Sequence, residues 1–347
     1  MVLTSKRLHQ ITTPIFLIVG ISLLVTVVHK WGTAELLDSF RRMGFKIGFV
    51  LALPFAWYLI QTLAWYLILE ETGTHVSYPH LLKIKLGGES MNTMTPVGFM
   101  VGDPVRLYLL QKRMPVALST ASIVLDRTMI TVAVVTTLFL GLFVAWMTLN
   151  LPDQWRIILP VFTCLLAVGM VVVVHRQKRG AFQSLSRILM RLGIKRPFTE
   201  SVQEKIRTLD ERIMRFYHHS PRRFWAVYFL HFCGRFLAAV EIFLIAFLLA
   251  IPLKFSGALV LTSLSILINS LFTFIPGGMG IMEGAYGGLL QIMGLDPIAG
   301  VALQLVRRVR ALFWILLGLS IVGFSVKSKK VVPKSAQLSS SLPDTEG

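Results

Sequence analysis

Asn269-Ser270-Leu271-Phe272-Thr273-Phe274-Ile275-Pro276-Gly277-Gly278-Met279-Gly280-Ile281-Met282-Glu283-Gly284 is the stretch whose reading decides the fold of this chain. An apolar run breaks at a proline, passes through three glycines and resumes with a carboxylate. Proline removes a backbone donor and blocks helix continuation, while glycine permits a sharp reversal. Backbone groups released at membrane depth survive only when buried in protein or lining a wet cavity. The stretch therefore predicts a broken helix inside a membrane protein. An earlier stretch repeats the plan, running from Asn92 through Thr95-Pro96-Val97-Gly98 to Gly102-Asp103-Pro104-Val105-Arg106.

The two stretches share one ungapped register, offset by 180 residues. Ser90 meets Ser270, Pro96 meets Pro276, Gly98 meets Gly278, Asp103 meets Glu283, Gln111 meets Gln291 and Arg127 meets Arg307. These coincidences fall on proline, glycine, acid and arginine rather than on interchangeable aliphatic residues, which marks an internal duplication. The halves span about 75–149 and 255–325. Each reads as an apolar helix, a break (Pro96, Gly98 and Gly102; Pro276, Gly277, Gly278 and Gly280), a short acid-bearing helix and a long helix with an intramembrane arginine.

Composition sets the solvent. Of 347 residues, 54% are hydrophobic and 15% charged, a balance that suits lipid rather than water. Six apolar runs, near 13–29, 47–69, 116–149, 155–174, 224–250 and 297–325, approach or exceed the roughly 20 residues of a membrane span. The expected fold is all-α and polytopic, about six full spans plus two re-entrant broken hairpins in an inverted repeat. One membrane domain covers 1–330, and 331–347 forms a polar, disordered tail. No small-residue cleavage site follows the first run, so it reads as a retained anchor.

Net charge is +18, but half of it lies in one loop. Between 175 and 223 thirteen Lys or Arg face four acids. That asymmetry argues against nucleic acid and for a loop on the cytoplasmic side of the cell membrane, the carboxyl end with it. Two apolar stripes within the loop, Phe182, Leu185, Leu189 and Leu192, then Val202, Ile206, Leu209, Ile213 and Phe216, recur at helical spacing. They predict amphipathic helices on an anionic leaflet; a solvated, topology-setting loop is the alternative. With both charged segments inside, 255–293 enters from the outer face and 75–112 from the cytoplasm, opposed as in inverted-repeat transporters.

Ionisable side chains within membrane segments are costly and mark a binding site or a pair. Asn92, Asp103, Arg106, Asp126, Arg127, Glu283, Arg307 and Arg310 form the candidate substrate-binding set. Asp103 is expected to pair with Arg127 and, by symmetry, Glu283 with Arg307. Arg307 and Arg310 share a helix face from which Arg308 turns away. Static salt bridges are the competing reading. Against it, cations outnumber acids in the motifs, which suits an anionic headgroup. Cys164, Cys233 and the histidines, His231 among them, show no metal-ligand spacing, and no cofactor or nucleotide-binding motif is present.

At Pro276-Gly277-Gly278-Met279-Gly280-Ile281-Met282-Glu283, Gly102-Asp103-Pro104-Val105-Arg106 and Asp126-Arg127 the chain resembles the lysylphosphatidylglycerol-synthase transmembrane-region family, also described as flippase-like. The family more often has Glu where Asp103 and Asp126 stand. Hopanoid-associated membrane proteins share the pattern. The resemblance implies translocation of an anionic or aminoacylated phospholipid, or a lipid-linked carrier, between leaflets. A separate lipid-modifying enzyme is the implied partner, since the 331–347 tail is too short for the soluble aminoacyltransferase domain. A membrane-embedded enzyme using Asp103 or Glu283 as general base, and a scaffold for envelope-lipid biosynthesis, are the alternatives.

Overall fold

The computed structural model describes residues 41, 43–70, 76–94, 99–149, 153–193, 199–272 and 281–327. The run at 13–29, the tail, and Pro96, Gly98, Pro276, Gly277, Gly278 and Gly280 lie outside the described residues. Among the described residues the chain forms eleven α-helices and no strand. Helix α1 is Ile47–Glu70, entered through a 3-10 turn at Gly44–Lys46. It is followed by α2 (Tyr78–Met94), α3 (Phe99–Leu110), α4 (Val116–Thr148) and α5 (Asp153–Gln177). Then come α6 (Ala181–Arg191), α7 (Glu200–His219), α8 (Pro221–Leu248), α9 (Phe255–Leu271), α10 (Ile281–Ile292) and α11 (Pro297–Lys327).

The duplication is visible in the helix lengths. The first unit, α2-α3-α4, has 17, 12 and 33 residues; the second, α9-α10-α11, has 17, 12 and 31. Each unit leans on the other rather than on itself alone: α2 packs along α11, and α9 along α4. Both seams are made the same way, because helices in lipid approach through small residues and interhelical hydrogen bonds rather than by hydrophobic expulsion. On one seam Ser90 donates to the Trp314 carbonyl at 3.2 Å beside Gly318; on the other Ser263 donates to the Thr137 carbonyl at 2.9 Å beside Gly141.

Helices α1, α4, α5 and α8 are long and apolar enough to cross a membrane. Helix α11 has the length but carries three arginines. Helix α8 packs on α1, α4, α9 and α11, and so touches both units. Helix α5 lies outermost against α4 and exposes Ile157, Val161, Leu165, Val168 and Val171, as a lipid-facing span does. Apolar clusters fill the interior on both sides of α8. Trp65, Leu81, Leu109 and Leu118 join α1 to the first unit, and Ile242, Leu261, Tyr286 and Leu303 join α8 to the second.

Two expectations change. Gly102 belongs to no break: it sits inside α3, where a Cβ would overlap the Gly88 carbonyl of α2 and the Asn92 side chain. Its work is close helix packing. In the basic loop both helices form, but Leu209, Ile213 and Phe216 of α7 are buried in a cluster with α4 and α8. Only α6 leaves apolar side chains outward, at Leu185, Ile188 and the following Leu192.

Gly102→Ala is expected to destabilise the protein by about 1–3 kcal/mol, since the clash is with backbone and cannot be relieved by a rotamer. Gly169→Ala, with nothing within 4 Å of the new Cβ, is expected to be neutral or to gain up to about 1 kcal/mol from helix propensity. Thermal unfolding of the two variants in detergent checks the contrast.

Candidate functional site

Charged side chains inside the bundle gather into two clusters. In the first, Lys85 of α2 donates to both oxygens of Asp126 on α4, at 3.0 and 2.6 Å, and both residues are fully buried. Arg106 of α3, also fully buried, reaches Asp126 at 3.2 Å and Asp103 at 3.5 Å, and pairs with Glu89 through its other amino group. Its guanidinium lies 5.3 Å from the Trp65 ring centroid. Gly88 makes this possible, because a Cβ there would overlap the Arg106 side chain. Arg127 completes the cluster, bound to Asp103 at 2.7 Å and to Glu89 at 3.3 Å. Asn92 steadies Glu89 from one helical turn away, donating at 3.2 Å.

The second cluster lies between α8, α10 and α11. Glu241 of α8 accepts from Arg307 at 3.3 Å and from Arg310 at 2.8 Å. Arg307 also donates to the Tyr286 hydroxyl, which accepts a further bond from Ser265 at 2.7 Å. Arg308, on the other side of α11, pairs with Glu283 of α10.

Between the clusters lies a cavity of about 230 Å³. Glu89 and Thr93 enter it from α2, Arg235 and Glu241 from α8, and Arg307 and Arg310 from α11. Trp57, Tyr58 and Trp314 form an aromatic wall, with Tyr58 and Trp314 ring centroids 5.1 Å apart. Arg235 differs from the other cations in making no ion pair among the described residues; its buried Nε, like those of Arg106 and Arg310, has no hydrogen-bond partner. Across both clusters and the cavity, seven cations (Lys85, Arg106, Arg127, Arg235, Arg307, Arg308, Arg310) face five carboxylates (Glu89, Asp103, Asp126, Glu241, Glu283). The surplus of two positive charges, with one guanidinium unpaired at the cavity wall, suits a multivalent or monovalent anion.

Of the eight residues expected at a binding site, Arg307 and Arg310 line the cavity. Asp103, Arg106, Asp126 and Arg127 stand behind Glu89 as its support, with Asn92 beside it. The Asp103–Arg127 pair is present, whereas the symmetrical Glu283–Arg307 pair is corrected: Glu283 holds Arg308, and Arg307 turns to Glu241. Register identifies equivalent positions, not contacts, and in the second unit a carboxylate from α8 stands closer. Lys85, Glu89, Arg235 and Glu241 escaped the sequence reading. For Arg235 and Glu241 the signal was there, since each is an ionisable residue within the apolar run 224–250, whereas Lys85 and Glu89 lie among His80, Lys83, Ser90 and Asn92, where a charge is less conspicuous.

Fold and site together define a polytopic helical membrane protein with a charge-lined interior cavity between two repeated units. The family model for the lysylphosphatidylglycerol synthase TM region matches residues 15–319, and the chain belongs to that family. No curated protein and no solved structure is significantly similar to it.

Removing Asp126 leaves Lys85 buried without its carboxylate and costs Arg106 one of its partners. Asp126→Leu is expected to lower stability by about 3–5 kcal/mol, and the added Lys85→Met to recover part of that loss. Denaturation in detergent of the single and double variants is the check; equal stability of Asp126→Leu and wild type would remove the network's structural role.

Proposed function

We propose that the protein is a lipid translocase: it carries an anionic or aminoacylated phospholipid, or a lipid-linked carrier, between leaflets, with the headgroup in the cavity and the acyl chains in the bilayer. Membership of the lysylphosphatidylglycerol synthase TM-region family supports a role in membrane-lipid metabolism or transport. The observation that carries the finer reading is Arg235, a guanidinium at the wall of an interior cavity with no carboxylate bound to it. An unpaired cation in such surroundings is costly unless an anion visits. Arg307 and Arg310, sharing the single carboxylate of Glu241, supply the remaining positive charge. The aromatic wall gives an amphipathic lining, suited to the boundary between headgroup and glycerol backbone. In this reading the two short-helix pairs are re-entrant hairpins opening to opposite faces, the cavity lies near the midplane, and the carboxyl end is cytoplasmic in the cell membrane.

The test is reconstitution into vesicles with fluorescent phosphatidylglycerol and, separately, fluorescent phosphatidylcholine. Wild type is expected to exchange phosphatidylglycerol between leaflets well above empty vesicles. Arg235→Gln removes a charge-assisted contact worth about 1.5–3 kcal/mol, which corresponds to a roughly ten- to hundredfold slower exchange. Exchange of both lipids at the rate of empty vesicles would refute the translocase.

A further inference from the structure

His231 takes no part in the cavity wall, yet it is fully buried and stands against the first charge cluster. Its Nδ1 is hydrogen-bonded to the side-chain oxygen of Gln61 on α1. Its Nε2 faces Asp126 Oδ1 at 3.5 Å and has no hydrogen-bond partner. In the tautomer that donates from Nδ1 to the Gln61 oxygen, an imidazole lone pair points at a carboxylate. That arrangement is incomplete by one proton: an added proton on Nε2 turns the repulsive contact into a charge-assisted hydrogen bond.

The surroundings decide what the added charge does. Of the charged groups acting on His231, Asp126 of α4 favours an added proton, while Lys85 of α2, Arg106 of α3 and Arg235 of its own helix oppose it until an anion offsets them; Gln61 is what α1 presents to the ring. Helices α7, α9 and α11 also pack on α8, and none of their charged side chains is among those groups. Lys85, Arg106 and Arg127 balance Glu89, Asp103 and Asp126, so the first cluster is neutral while His231 is neutral. Protonation makes it positive by one and gives Asp126 a third cationic partner. Arg106, which shares Asp126 with Lys85, is then held more by Glu89, the carboxylate that lines the cavity. Positive charge gained at His231 thus reaches the cavity through Asp126, Arg106 and Glu89, and an anion arriving there offsets it.

From this geometry we propose that the His231–Asp126 pair is a proton-binding site coupled to the cavity, so that one proton is bound and carried with each anionic headgroup. The proposal rests on the translocase reading for the cargo, while proton binding itself does not. His231 stands one turn of α8 from Arg235, so the site adjoins the cavity. Both species enter or leave together: the headgroup brings a negative charge, the proton a positive one, and the bundle returns to its starting balance.

Two measurements test it. In vesicles holding labelled phosphatidylglycerol, an imposed pH difference is expected to shift the leaflet distribution about tenfold per pH unit for one-for-one coupling, with matching proton movement read by an internal dye. His231→Gln is expected to lose that response. A distribution in wild type indifferent to the pH difference, or an unaltered response in His231→Gln, overturns the coupling while leaving translocation standing. The second measurement needs no transport. In nanodiscs at pH 6 the ¹⁵N signal of His231, assigned by its loss in His231→Gln, is expected to move toward imidazolium when phosphatidylglycerol replaces phosphatidylcholine. A neutral imidazole in both lipids overturns the proton site. Protonation without any lipid movement in wild type supports the site and overturns the translocase instead.

Discussion

Each carboxylate of the two charge clusters (Glu89, Asp103, Asp126, Glu241 and Glu283) lies against a guanidinium or an ammonium, and that pairing governs the arrangement of the helices around them. A lone charge in a lipid-embedded bundle costs several kcal/mol. Helices bearing such residues are therefore constrained to approach until partners meet. Asp126 ties α4 to α2 and α3 through Lys85 and Arg106, and Glu241 ties α8 to α11 through Arg307 and Arg310. These pairs select a geometry more than they add stability, because the desolvation they suffer offsets most of their attraction. Close approach is then a requirement, and small residues meet it where backbones must nearly touch. Gly88 admits the Arg106 side chain and Gly102 admits the Gly88 carbonyl, so the first cluster depends on two positions with no side chain at all.

Much of the fold was legible because lipid imposes coarse rules on sequence. Runs near 47–69, 116–149, 155–174, 224–250 and 297–325 became helices α1, α4, α5, α8 and α11 with ends shifted by a few residues. The duplication, read from a handful of prolines, glycines, acids and arginines, returned as two units with matching helix lengths. What escaped was partnership. A sequence register says that Arg307 corresponds to Arg127, and it cannot say that a helix outside the repeat delivers Glu241 to Arg307. Nor can spacing say which apolar stripe meets protein and which meets the outside. The stripes of α6 and α7 look alike in sequence, yet α7 spends its stripe on α4 and α8 while α6 keeps apolar side chains exposed.

The two repeated units have diverged in charge. The first holds three cations against three carboxylates, all from its own helices, and closes on itself. The second has three arginines on α11 and a single acid on α10, and depends on Glu241 of α8 for the rest. One half therefore acts as a balanced frame that presents a single carboxylate, Glu89, to the cavity. The other half remains electropositive and presents Arg307 and Arg310. The two units thus match in helix plan and differ in charge.

Helix α8, which lies outside both units, carries the consequence of that difference. Within ten residues it places His231 against the first cluster, Arg235 at the cavity and Glu241 in the second cluster. Ten residues at about 1.5 Å each span about 15 Å, so a single rigid element touches all three sites. At both ends of this stretch the carboxylates are already shared: Asp126 between Lys85 and Arg106, Glu241 between Arg307 and Arg310. On the proposed reading, a charge added at one end is met by a charge arriving in the cavity. Sharing each carboxylate between two cations is what, on the proposed reading, couples this buried set of ion pairs to an anion in the cavity.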